Sequence, residues 1–146
     1  MIEFIPIHPQ NNYETIEDDF IKGLIENTLE YYSKIGFIMP WISYLVYDNN
    51  NIGVCSFKGA PINNSVEIAY CTHPNYENLG YATKMCKKLI EIAQKENKEI
   101  KITAKTLPEI NASTKVLMKN GFINNGIILD ADDGKVYEWI YKNLNE

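Results

Sequence analysis

The stretch from Val66 to Lys88, VEIAYCTHPNYENLGYATKMCKK, constrains this chain most, because it reads as a strand that enters a glycine-containing turn and leaves as a helix. Val66, Ile68 and Tyr70 alternate with Glu67, Ala69 and Cys71, the period-2 pattern of a half-buried strand. Ala82, Met85, Cys86, Leu89, Ile90 and Ala93 then recur at the spacing of one apolar helix face. Between them, Asn78-Leu79-Gly80-Tyr81-Ala82 places no proline and little bulk beside Gly80, so backbone N–H groups at the helix start can point outward. The first four N–H groups of a helix have no internal partner, and the dipole adds roughly half a positive charge at that end. A phosphate or pyrophosphate suits such an end. The stretch has neither the G-x-G-x-x-G of a dinucleotide fold nor the G-K-[ST] of a P-loop.

The rest of the chain arranges itself around that element. Met1 to Ile7 reads as a first strand, and Tyr13 to Lys34 as one interrupted helix or two short ones, with Gly23 as a break or a bend. Trp41 to Tyr47 and Ile52 to Lys58 form a hairpin across Asp48-Asn49-Asn50-Asn51, and Glu67 falls in the third strand of that meander. The central helix joins the strand at 66–72 to one at 99–106, so those two strands should be parallel. A short helix follows from an N-cap at Asn111 to Asn120, closed by Gly121, before a final hairpin over 122–129 and 135–141. This is α/β in class, a mixed antiparallel and parallel sheet flanked by helices, and 146 residues make one domain over 1–146.

Charge and cysteine usage exclude several functions. A net charge of −5 argues against nucleic acid as a partner. No apolar run reaches a membrane span, and MIEFIPIHPQ lacks the pattern of a signal peptide, so we expect a cytoplasmic protein with no membrane association. Cys55, Cys71 and Cys86 each sit in an apolar pattern and are expected as buried free thiols. His8 and His73 have no partner at metal spacing, and Asp130-Ala131-Asp132-Asp133-Gly134 places its glycine too early for a calcium loop, so no metal is expected.

The glycine turn resembles motif A of the GNAT acetyltransferase superfamily, with Glu77, Gly80 and Ala82 at the motif positions. Ala112-Ser113, Val116-Leu117 and Lys119-Asn120-Gly121-Phe122 are similar to motif B of the branch that contains the ribosomal-protein alanine and serine N-acetyltransferases. The resemblance spans roughly residues 41–122 and implies a GNAT-like fold that transfers the acetyl group of acetyl-coenzyme A to a primary amine. The amine would belong to a small molecule or a protein N-terminus and attack directly in a ternary complex. Carried over, the pyrophosphate cradle is Asn78, Leu79, Gly80, Tyr81, Ala82 and Thr83, and the pantetheine edge is Tyr70, Cys71 and Thr72, with a backbone N–H near Cys71 facing the oxyanion.

Glu67 is the implied general base, because a carboxylate whose strand face is otherwise small and apolar, Ala69 and Cys71, is the more ready to take a proton. The competing expectation pairs it with a lysine of the neighbouring strand. Ser113 matches the serine used in the ribosomal-protein branch. Three positions depart from the family pattern. Glu77 replaces the usual glutamine or arginine, and Met118 stands where many members have an acid tyrosine. Ile110 replaces an asparagine, leaving Asn111 beside it as the contact to coenzyme A. These departures motivate an alternative, a coenzyme A-binding or protein-interaction domain without catalysis. The acceptor is expected over the first helices, near Tyr31, Tyr32, Phe37, Met39 and Trp41, and the acid balance favours a cationic one. The resemblance is compatible with a monomer or a homodimer.

Overall fold

The computed structural model describes residues 1–142, so the last residues of the domain expected over 1–146 lie outside the described part. In chain order the elements are β1 (Glu3–Pro6), α1 (Asp19–Ile35), β2 (Ser43–Tyr47), β3 (Asn51–Phe57) and β4 (Ser65–Thr72), then α2 (Tyr81–Glu96), β5 (Lys101–Thr106), α3 (Ala112–Lys119), β6 (Phe122–Asp130) and β7 (Gly134–Tyr141). The strands form one sheet in the order β1-β2-β3-β4-β5-β7-β6. β4 and β5 are parallel, as the helix between them requires, and the other neighbours are antiparallel. No helix among the described residues is long and apolar enough to cross a membrane.

Strand alternation decides which helix covers which face. Ser43, Val54, Ser56, Ala69 and Cys71 share one face, and α1 lies over them. The opposite face carries Gly53, Cys55, Ile68 and Tyr70, and it receives Met85, Cys86 and Leu89 of α2, all fully buried. Trp139 of β7 fills the same side near β5, where its indole N–H donates to Thr106 Oγ1 at 2.9 Å. Burying so large a side chain without orphaning its polar atom makes it a pivot of the core.

The first helical region differs from expectation. It is one continuous helix that starts only at Asp19, and Gly23 does not break it. The Asp18 carboxylate caps it by accepting from Ile21 N–H at 2.9 Å, and Ile21 and Ile25 anchor the turns around Gly23 in the core. Buried anchors on both sides outweigh the roughly 1 kcal/mol that a helix-interior glycine costs. Residues 13–18 still touch the core through Tyr13 and Ile16, which is why their spacing imitated a helix.

α3 begins at the expected cap. Asn111 Oδ1 accepts from Thr114 N–H while Thr114 Oγ1 accepts from Asn111 N–H, a reciprocal capping box, and Gly121 closes the far end at φ +92.

Candidate active site

The register of β4 opens the site. β4 pairs with β5 only from Ser65↔Lys101 to Ile68↔Ala104, after which β5 continues along β7 as far as Thr106↔Tyr137. β4 instead runs on beside β3 to Gly53↔Thr72, so the two parallel strands part beyond Ile68. Glu67 C=O accepts from Lys58 N–H at 2.8 Å, and His73 N–H donates to Ile52 C=O at 2.7 Å, both toward β3. Backbone direction alternates along a strand, so the N–H and C=O groups of Tyr70 and Thr72 face the gap. The backbone of Cys71 is turned to β3, and the free edge is that of its two neighbours.

The gap leads to the glycine turn. Gly80 lies at φ +87 and is the N-cap of α2 without any side-chain cap, so the first N–H groups of the helix keep no side-chain acceptor at that end. A Cβ built on Gly80 would meet nothing within 4 Å, which leaves the space over those groups open. Asn78, at φ +63, bends the approach, and Asn78 and Leu79 are exposed while Tyr81, Ala82 and Thr83 are half-buried. Tyr81 Oη donates to Asp48 Oδ2 at 2.7 Å, which ties the start of α2 to the β2–β3 turn.

His73 fixes the other end of the turn, a role that the sequence did not suggest. Its Nδ1 accepts from Asn75 N–H at 3.0 Å, so the hydrogen is on Nε2, which donates to Asp18 Oδ2 at 2.9 Å. Asp18 thereby caps α1 and holds the loop that leads into the cradle. An aspartate before an apolar run is a cap signal that the helix expected from Tyr13 passed over, and the second partner of Asp18 lies 55 residues away, where no local pattern encodes it.

A cavity of about 320 Å³ lies between α1 and the faces of β2, β3 and β4, with Ala69 and Cys71 on its wall beside the gap. Leu24, Thr28 and Tyr31 of α1 form its roof, and Ser43 and Ser56 share a hydrogen bond of 2.6 Å at its floor. Of the aromatic residues expected there, only Tyr31 lines it. Tyr32 is buried, with its hydroxyl donating to Ile7 C=O and accepting from Ser43 N–H, Phe37 packs on Tyr32, and Trp41 packs on Phe57. Cys55 and Cys86 are buried as expected, and burial pushes the Cys86 thiol up to about 12. Cys71 is exposed instead, because it lies past the last β4–β5 pair and opens onto the cavity.

Glu67 sits on the cavity-side face of β4, and its surroundings are not the small apolar ones expected. Lys105 Nζ is 3.2 Å from its Oε1 and Lys58 Nζ 3.6 Å from its Oε2, so the pairing with lysines of neighbouring segments holds. Lys105 continues to Asp130 at 2.9 Å, and this bond, with the N–H groups of Asp133 and Asp132, holds the Asp130 carboxyl down at about 2. A depressed carboxyl contributes stability above its ordinary value of 3.8 and loses it as the pH falls through about 2. We expect the thermal midpoint to drop between about pH 4 and pH 2, and Asp130→Asn to remove part of that drop. Superimposable pH profiles for the two proteins would sink this assignment.

At the motif B end, Tyr70 reaches across the gap and its hydroxyl donates to Ser113 C=O at 3.2 Å. Burial pushes that phenol well above its usual range, so it acts as a fixed donor. The Asn111 side chain is engaged by the cap and by a 3.3 Å bond to Glu109, whereas the Ser113 hydroxyl takes no part in the capping box.

A model of the GNAT acetyltransferase domain matches residues 7–123. The chain belongs to the GNAT acetyltransferase family. As a GNAT protein it is an acyl-coenzyme A N-acyltransferase. No curated protein matches it in sequence. Among solved structures it is similar to the Campylobacter jejuni N-acetyltransferase PseH in complex with acetyl coenzyme A, at 19% identity over 98% of this chain and 99% of that one, with a TM-score of 0.69. A spermidine N-acetyltransferase chimera of Vibrio cholerae SpeG and hSSAT gives 14% identity, 96% and 94% coverage and a TM-score of 0.69. RimL, a ribosomal L7/L12 α-N-protein acetyltransferase in complex with coenzyme A, gives 14%, 95% and 92%, and 0.69. At these identities the likeness is one of fold.

Proposed function

We propose that this GNAT protein transfers the acetyl group of acetyl-coenzyme A to a primary amine, of a small molecule or a protein N-terminus, by direct attack in a ternary complex. The observation that carries the reading is the parting of β4 from β5, whose open edge runs from the α1 cavity to the glycine turn. That groove fits the cofactor: the edge of Tyr70 and Thr72 offers backbone partners to an amide-bearing pantetheine arm, and the uncapped start of α2 suits its pyrophosphate. Acetyl-coenzyme A supplies an activated thioester whose carbonyl can be attacked by nitrogen.

The chain's own residues do the rest. Asn78 to Thr83 bind the phosphates, and the Tyr70 or Thr72 N–H, beside Cys71, faces the developing oxyanion, a contribution of about 3 kcal/mol. Glu67 takes the proton of the amine through water. Its two lysines hold the carboxylate in one place while leaving lone pairs free, since each oxygen has a single ammonium near it. To Ser113, whose hydroxyl takes no part in the capping box, we assign the return of a proton to the departing thiolate, and Asn111 supports the helix start beside it. Three unpaired thiols support a reducing, cytoplasmic setting, and a net charge of −5 favours acceptors other than nucleic acid.

Isothermal titration with acetyl-coenzyme A tests the reading first. We expect micromolar affinity, about −8 kcal/mol. Absence of binding at millimolar cofactor would overturn it. Glu67→Gln should then lower kcat about 100-fold with cofactor affinity unchanged, and unchanged turnover would remove Glu67 from the mechanism.

A further inference from the structure

Among the described residues that line the acceptor cavity one is charged, and it is positive. Asn27, Thr28 and Tyr31 of α1, Ser43 and Ser56 of the sheet, and Lys58 supply its polar lining, and no aspartate or glutamate of the described residues lines it, Glu67 lying beyond Lys58. Lys58 is also the least committed member of its ion-pair chain. Glu67 is closer to Lys105, at 3.2 Å, than to Lys58, at 3.6 Å, and Asp130 answers Lys105 at 2.9 Å. The Lys58 side chain is 47% exposed, and its contact with Glu67 is too long for a good hydrogen bond. It is an ammonium at the cavity mouth with room for a further anion.

From this we infer that the acceptor is a small amine that also carries an anionic group, a carboxylate or a phosphate, and that Lys58 selects it. The inference rests on the transferase reading above. A polyamine would bring a second ammonium against Lys58, with no carboxylate among the described lining residues to receive it and Glu67 already shared by two lysines, and like charges in a partly desolvated site repel. An anion-bearing amine instead pairs its anion with Lys58 and hydrogen-bonds the serine and asparagine groups, leaving its nitrogen to point along the β4 face toward Cys71 and the gap. The acidic composition of the whole chain suggested a cationic acceptor, yet the charged side chain in the lining of this cavity is a lysine.

The test is steady-state acetyl transfer by the full chain to matched amines: L-amino acids against their methyl esters, glucosamine 6-phosphate against glucosamine, and spermidine. We expect kcat/KM for the anion-bearing member of at least one pair to exceed that of its neutral partner by about tenfold or more. The preferred pair tells carboxylate from phosphate. Lys58→Gln should abolish that preference: kcat falls for both members because Glu67 loses one of its two lysines, but KM rises about tenfold for the anionic member alone while the KM for acetyl-coenzyme A changes less than about twofold, a split that a merely structural lysine would not produce. Lys58→Glu should lower the KM for spermidine. Faster wild-type turnover of spermidine or of the neutral partners would overturn the inference and leave the transferase standing. Acetyl-coenzyme A binding without transfer to any amine would overturn both.

Discussion

Gly53→Ala is expected to lower stability by about 3 kcal/mol and to weaken acetyl-coenzyme A binding at the same time. Gly53 stands in β3 opposite Thr72, at the end of β4 where the strand has lost β5 as a neighbour. A Cβ at this position would lie 2.1 Å from the Cys71 carbonyl oxygen and 3.0 Å from Cε of Met85. The methionine end can rotate away, but the carbonyl is pinned in the β3–β4 ladder and cannot. Relief must therefore come from moving β4 itself, at the residues whose free backbone edge faces the gap. The stability loss is read as a shift in the urea midpoint at unchanged slope, and the binding loss by titration. A variant with a wild-type midpoint and wild-type affinity would mean that the two strands do not approach this closely.

That coupling of close packing to the open edge explains what was legible in the sequence. Strands and α2 announced themselves because their apolar residues repeat at period 2 or at helical spacing, and the parallel β4–β5 pair followed from the helix between them. Gly80 and Asn111 were legible for a similar reason, since turn and cap chemistry is local. The setting of Glu67 was legible only as one of two alternatives. Its neighbours along β4 are small, as the sequence indicates, but Lys58 and Lys105 arrive from other segments and are placed by register. The same holds for the His73–Asp18 bond and for the exposure of Cys71, which depends on where β5 turns away. In α1 the failure ran the other way. Tyr13 and Ile16 reach the core from a loop, so burial continued the apolar spacing past the end of the helix.

The cradle permits a separation that Gly53 does not. Gly80→Leu should lose about 100-fold in affinity for acetyl-coenzyme A, roughly 2.7 kcal/mol, while costing only about 1–2 kcal/mol of stability. The stability cost is the strain of an L side chain at φ +87, since nothing lies within 4 Å for the new Cβ to strike. The affinity cost is larger because that same open space is where the phosphates must reach the first N–H groups of α2, and a leucine there both occupies it and screens the dipole. Gly134→Leu provides the control. Gly134 also has a left-handed φ, +72, with nothing within 4 Å, but it begins β7 at the far hairpin. It should show the same drop in thermal midpoint and bind acetyl-coenzyme A as the wild type does. If Gly80→Leu and Gly134→Leu titrate alike, the pyrophosphate does not sit on α2, and the groove between β4 and β5 must be read as holding something else.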